Sequence, residues 1–160
     1  MKSFPALGLS GQLVEVIQQL GFETPTPVQE KAIPLLLQGN SDVVALAQTG
    51  TGKTAAFGLP LVELIDANLR QPQALILAPT RELCLQITND LERFSKSYKD
   101  LRVVAVYGGA SIGDQIRKIK HGVNLVIATP GRLIDLLSRK ALQLQTIKYV
   151  VLDEADEMLN

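Results

Sequence analysis

Asp153, Glu154 and Asp156 put three carboxylates into four residues, and such groups repel one another unless a cation sits among them. They follow an apolar run, Tyr149–Leu152. A second apolar run, Val43–Leu46, leads into Ala47-Gln48-Thr49-Gly50-Thr51-Gly52-Lys53-Thr54. The tail Gly-x-Gly-Lys-Thr fits a phosphate-binding loop, with Ala47 where the general pattern has Gly. Glycines let backbone N–H groups turn inward around a phosphate, and a following helix N-terminus adds positive potential. Lys53 would reach the β- and γ-phosphates, and the Thr54 hydroxyl would ligate magnesium. A loop hydroxyl and a strand-end carboxylate sharing Mg2+ is the arrangement of nucleotide hydrolases. Asp153 would hold the metal, through water, and Glu154 would orient or deprotonate the attacking water. Taken singly, the loop could be an ordinary strand-to-helix turn and the acidic cluster a solvated one. Their joint presence argues for chemistry.

Those groups need elements to position them. Five short apolar runs are spaced along the chain: Val43–Ala47, Ala74–Ala78, Val103–Tyr107, Leu125–Ala128 and Tyr149–Leu152. Each is nearly continuous rather than alternating, as in strands buried on both faces of a parallel sheet. Helical spacing appears between them. Leu13, Ile17 and Leu20 share a face, with Ser10 as N-cap and Gly21 as stop. Thr26-Pro27 opens a helix running to about Leu37. Leu83, Ile87, Leu91 and Phe94 line another, and Ile112, Ile116 and Ile119 a third. Pro60 is expected to kink the helix after the phosphate loop. The pattern predicts an α/β domain, a mostly parallel sheet with helices on both faces and ligands at the carboxyl ends of its strands.

With 160 residues, 46% hydrophobic and 20% charged, the chain can bury a core as one soluble domain. Lys plus Arg and Asp plus Glu number 16 each, so bulk charge does not draw this chain to nucleic acid, and any such contact rests on a few placed groups. Cys84 is the only cysteine, which excludes an internal disulfide and fits a reducing, cytoplasmic location. The start, Met1-Lys2-Ser3-Phe4-Pro5, does not read as a secretory signal, and no apolar run is long enough for a membrane helix. The lone His121 reads as a solvated surface residue.

Asp153-Glu154-Ala155-Asp156 also resembles the name motif of the DEAD-box helicases, and further motifs of that family stand in its order. Residues 21–29, Gly21-Phe22-Glu23-Thr24-Pro25-Thr26-Pro27-Val28-Gln29, resemble the Q motif, with Phe4 at the place of its isolated upstream aromatic. Residues 47–54 are the phosphate loop; residues 79–83, Pro-Thr-Arg-Glu-Leu, resemble motif Ia; Gly108-Gly109 matches the glycine pair; residues 129–132, Thr-Pro-Gly-Arg, match motif Ib. The resemblance covers essentially the whole chain. It implies an N-terminal RecA-like domain over 1–160 and an RNA-dependent ATPase that remodels RNA duplexes. ATP would be held by Phe22 stacking on adenine, Gln29 reading it, Thr24 beside them, and Gln48, Thr49, Gly50, Thr51, Gly52, Lys53 and Thr54 around the phosphates. Thr54 and Asp153 would hold Mg2+, with Lys53, Asp153 and Glu154 catalytic. Thr80, Arg81, Gly109, Thr129 and Arg132 would touch the RNA sugar-phosphate backbone without reading bases. From the residues alone, Gln29 is a surface residue in a first helical turn, and Arg81 or Arg132 could be structural ion-pair residues. Cys84 stands where the family usually has Ala and is expected to pack as a small hydrophobe. Two other readings use the same loop: a nucleotide-dependent interaction module without turnover, and another P-loop enzyme such as a DNA helicase or small-molecule kinase. The Q motif argues against the latter.

The resemblance further implies that these residues are part of a longer machine, since the family's Ser-Ala-Thr motif and the second domain with its arginine finger are not among them. In the family topology, the strand leading to that motif lies between the phosphate-loop strand and the acidic-motif strand. Without it, Val43–Ala47 would lack a sheet neighbour. The expected compensation is direct pairing of the two motif strands, or self-association in which a second copy lends a strand.

Overall fold

The computed structural model describes residues 1–160, and its elements follow the order helix, helix, helix, then a regular alternation of strand and helix. The chain divides into two compact units: Met1–Leu64 with Asp90–Lys99, and Ile65–Asn89 with Asp100–Asn160.

The first unit is helical. After a 3-10 turn at Pro5–Leu7, α1 spans Gly11–Gln19. The Ser10 hydroxyl accepts the Leu13 N–H at 3.3 Å, which satisfies one of the donors a helix start leaves open. Leu13 and Ile17 are wholly buried, as their spacing predicts. α2 spans Pro27–Gln38 and starts with a capping box: the Thr26 hydroxyl accepts from Gln29 N–H while the Gln29 side chain accepts from Thr26 N–H. α3 spans Lys53–Leu64 and continues through Pro60, which has no N–H to give the Ala56 carbonyl. Gly58 lets α3 approach the last turn of α4 closely; a Cβ there would sit 2.9 Å from Leu91 Cδ2. Phe22 lies edge-on to both Phe4 (6.0 Å between centroids) and Phe94 (5.9 Å).

The second unit is a four-stranded parallel sheet in the order β2-β3-β1-β4. The strands are β1 Ala74–Leu77, β2 Val103–Val106, β3 Leu125–Ala128 and β4 Tyr149–Leu152; α4 Arg81–Phe94, α5 Ile112–Lys120 and α6 Pro130–Ser138 connect them. Leu75, Val104, Val106, Val126, Leu133 and Leu136 form one apolar layer, against which Ile112, Ile116 and Ile119 pack. Alternate residues of the central strands face the other way, where Cys84 donates its thiol to the Ile127 carbonyl at 3.3 Å. This two-sided burial is why the strands read as continuous apolar runs. On α4 the buried line runs Cys84, Ile87, Leu91, Phe94, with Leu83 only half-buried. β4 lies at the edge, with Val150 and Leu152 exposed.

Two expectations fail here. Val43–Ala47 is not a strand: residues 42–48 have no regular structure, and Val44 and Leu46 are 91% and 98% exposed. A short apolar run becomes a strand only through a hydrogen-bonded neighbour, and none of the four strands supplies one. Direct pairing of that run with β4 is likewise not formed. No helix is long and apolar enough to cross a membrane.

Candidate nucleotide loop and strand-end motifs

Within the first unit, Gln29 ties α2 to the phosphate loop. Its Nε2 donates to the Gly52 carbonyl at 3.0 Å, and its Oε1 accepts the Thr26 N–H at 3.0 Å. It is 1% exposed, so the surface reading of Gln29 is overturned: its amide is consumed by partners on both sides of it. A Cβ on Gly52 would meet Gln29 Nε2 at 2.3 Å, and Gly52 has φ +79°. Only glycine suits that position, for space and for backbone. Gly50 shares the positive φ, and the Thr51 hydroxyl donates to the Gln48 carbonyl at 2.6 Å, closing the turn. Lys53 and Thr54 open α3, half-buried, while Gln48, Thr49 and Thr24 are exposed. Phe22 is half-buried between two phenylalanines.

In the second unit, motifs follow each strand at the same sheet edge, because all strands are parallel. After β1, the Thr80 hydroxyl accepts the Leu83 N–H at 3.2 Å and caps α4. The Arg81 guanidinium lies 5.0 Å from the centre of the Tyr107 ring, a cation–π contact, and stays exposed. After β2, Gly109 has φ +83°, and a Cβ there would approach Arg81 Nη1 to 3.4 Å. After β3, Thr129 N-caps α6 without a side-chain bond. Arg132 donates from Nη1 and Nη2 to the Ala110 carbonyl at 3.1 and 3.2 Å, and from Nη1 to Gln115 Oε1 at 2.9 Å. Arg132 therefore binds neutral acceptors, and Arg81 an aromatic face; the ion-pair alternative holds for neither. After β4, Asp153 is 4% exposed and its Oδ1 accepts the Glu154 N–H at 3.0 Å. Glu154 is left-handed, φ 50° and ψ 51°. Only one other non-glycine residue, Lys140, has positive φ. Such strain persists where surrounding structure enforces it, and it clusters at working sites.

The sequence reading missed Tyr107 and Gln115. Gln115 is buried, donates Nε2 to the Tyr107 carbonyl at 3.1 Å and receives Arg132, so it braces the glycine-pair loop. Tyr107 stands directly before Gly108-Gly109, a hint of a platform; nothing local marks Gln115. The Thr26-x-x-Gln29 capping pattern was legible and unused. Cys84 is buried as expected, its thiol pushed up to about 11 by burial, with the Val106 carbonyl pulling weakly the other way.

The sequence profile of the DEAD/DEAH box helicases matches residues 26–160. The chain belongs to that family. An ATP-dependent RNA helicase CshA of Listeria monocytogenes is 50% identical over all 160 residues, and a DEAD-box ATP-dependent RNA helicase CshA of Streptococcus pneumoniae is 54% identical over 157. The chain spans about 30% of the length of these relatives. Among solved structures, a DEAD box protein of Methanococcus jannaschii superposes with a TM-score of 0.94 at 46% identity, over 99% of this chain and 43% of that one. The RNA-helicase Prp28 of Chaetomium thermophilum, bound to ADP, gives 0.91 at 40% identity, over 99% and 40%. The parallel sheet with its flanking helices is thus the RecA-like fold of DEAD-box proteins.

Proposed function

We propose that this chain is the nucleotide-binding part of an ATP-dependent RNA helicase that remodels RNA duplexes through ATP hydrolysis. The bond from Gln29 to the phosphate-loop carbonyl of Gly52 carries this reading. It fixes an amide beside the loop with one N–H and one lone pair still unspent. Those two groups match adenine, which offers N7 as acceptor and its N6 amine as donor; guanine offers two acceptors. Phe22 and Thr24 would flank the base, and Gln48 to Thr54 the phosphates, with Lys53 supplying a point charge.

The donors offered to magnesium are hard oxygens, which suit it. No three His, Cys, Asp or Glu side chains converge on one point. Thr54 and Asp153 would therefore share the ion with water and with the nucleotide's own phosphates; when bound, it neutralises charge on the transferring group. The Glu154 N–H holds Asp153 in place, and Glu154 itself is set to orient or deprotonate the attacking water. Thr80, Arg81, Gly109 and Thr129 would meet RNA phosphates and sugars, sequence-independently. Arg132 would act with them while pinning the loop at Ala110. The buried free thiol of Cys84 suits the reducing cytoplasm.

Titration calorimetry with ATP, GTP and the Lys53→Ala variant tests the reading. ATP is expected to bind more tightly than GTP by roughly 1–3 kcal/mol, the worth of a bidentate contact. Lys53→Ala, with its helix content unchanged, is expected to lose most of that binding. Equal ATP and GTP affinities, or unchanged ATP binding in the folded variant, would overturn it.

A further inference from the structure

The sheet of the second unit ends at β4, whose outer side pairs with no strand. An edge strand leaves a row of N–H and C=O groups unpaired there. Proteins blunt such edges with charges, proline or bulges, and Tyr149-Val150-Val151-Leu152 has none of the first two. Val150 and Leu152 are 59% and 55% exposed and, two residues apart, share one face. The strand's ends carry opposite charge: Lys148 precedes it, and Asp153, Glu154, Asp156 and Glu157 follow.

We propose that β4 pairs antiparallel with β4 of a second copy of this chain, centred on Val151. Parallel pairing would set two acidic runs side by side, whereas antiparallel pairing sets each Lys148 against the other copy's acidic run. Residues facing each other across a pair share a face, so a two-fold axis requires one residue to face itself. Within the apolar core of the strand, Val150, Val151 and Leu152 are the centres that bring the exposed face together. Centring on Val150 sets Lys148 against Leu152, and centring on Leu152 sets Val150 against Glu154. Centring on Val151 alone joins like with like. Each Val150 then lies beside the other copy's Leu152 on the exposed face, and each Lys148 lies across from Glu154. Pairing and turnover then compete for Glu154, although the pairing itself does not depend on that residue's proposed role.

Sedimentation equilibrium of the 160-residue chain, with cysteine cross-linking under air oxidation, tests both pairing and register. Twice the chain mass is expected, with at least a tenfold weaker dimer for Val150→Lys. Val151→Cys is expected to give a disulfide dimer on a non-reducing gel, because self-facing residues have Cα atoms about 4.5–5.5 Å apart. Val150→Cys is expected to give none, since its counterpart lies two residues further along, beyond the roughly 7 Å a disulfide can span. Cys84 is buried and does not compete. A monomer at every concentration, or cross-linking through Val150→Cys rather than Val151→Cys, would refute the proposal.

Discussion

Gln29 shows how one side chain can serve two levels of structure. Its oxygen completes the start of α2, and its nitrogen holds a carbonyl 23 residues away. Gln29→Glu separates these duties. A carboxylate still accepts the Thr26 N–H, so α2 keeps its cap, but it has no hydrogen for Gly52 and sets oxygen against oxygen. We expect helix content to persist, stability to fall by about 1–3 kcal/mol, the cost of an unsatisfied buried group, and ATP affinity to drop with it. Thermal melts with calorimetry check this; wild-type affinity in the variant would show that the loop does not need the bond. The Thr-x-x-Gln cap is readable in four adjacent letters. The burial of Gln29 is not, because it depends on Gly52 arriving from elsewhere in the chain.

At the scale of elements, the helices were legible because they carry their own instructions. Ser10 and Thr26 supply caps, and apolar residues recur at helical spacing. Close approach between helices is less visible. Gly58 lies mid-helix, where glycine costs roughly 0.5–1 kcal/mol relative to alanine, and it is repaid by contact with Leu91 and Phe94. Gly58→Val is expected to lower stability by about 1–3 kcal/mol through overpacking, read as a lower urea midpoint. Gly11→Ala, which meets nothing within 4 Å, should stay within about 0.5 kcal/mol of the parent. Equal midpoints for the two variants would mean that α3 does not need its close packing. Strands carry weaker instructions: Val43–Ala47 and Tyr149–Leu152 read alike as apolar runs, yet only the second has a partner.

At the scale of the whole molecule, the DEAD-box reading bears on turnover. The 160 residues by themselves are expected to bind ATP but hydrolyse it slowly, with little stimulation by RNA, because the family's arginine finger is not among them and such a finger typically contributes about 10³–10⁵ in rate. A phosphate-release assay with and without RNA checks this, and robust RNA-stimulated turnover by the pure chain would contradict it. What the sequence determined alone was local: caps, glycines with forced backbone angles, four of the five strand runs, and the identity and order of the motifs. These depend on residues within a turn or two of one another. What the tertiary structure decided was everything that depends on a distant neighbour. Gln29 and Gln115 became buried braces, Arg81 met Tyr107 and Arg132 met Ala110. Val43–Ala47 lost its strand, since a β-strand is a relation between two segments and no single run of residues contains it.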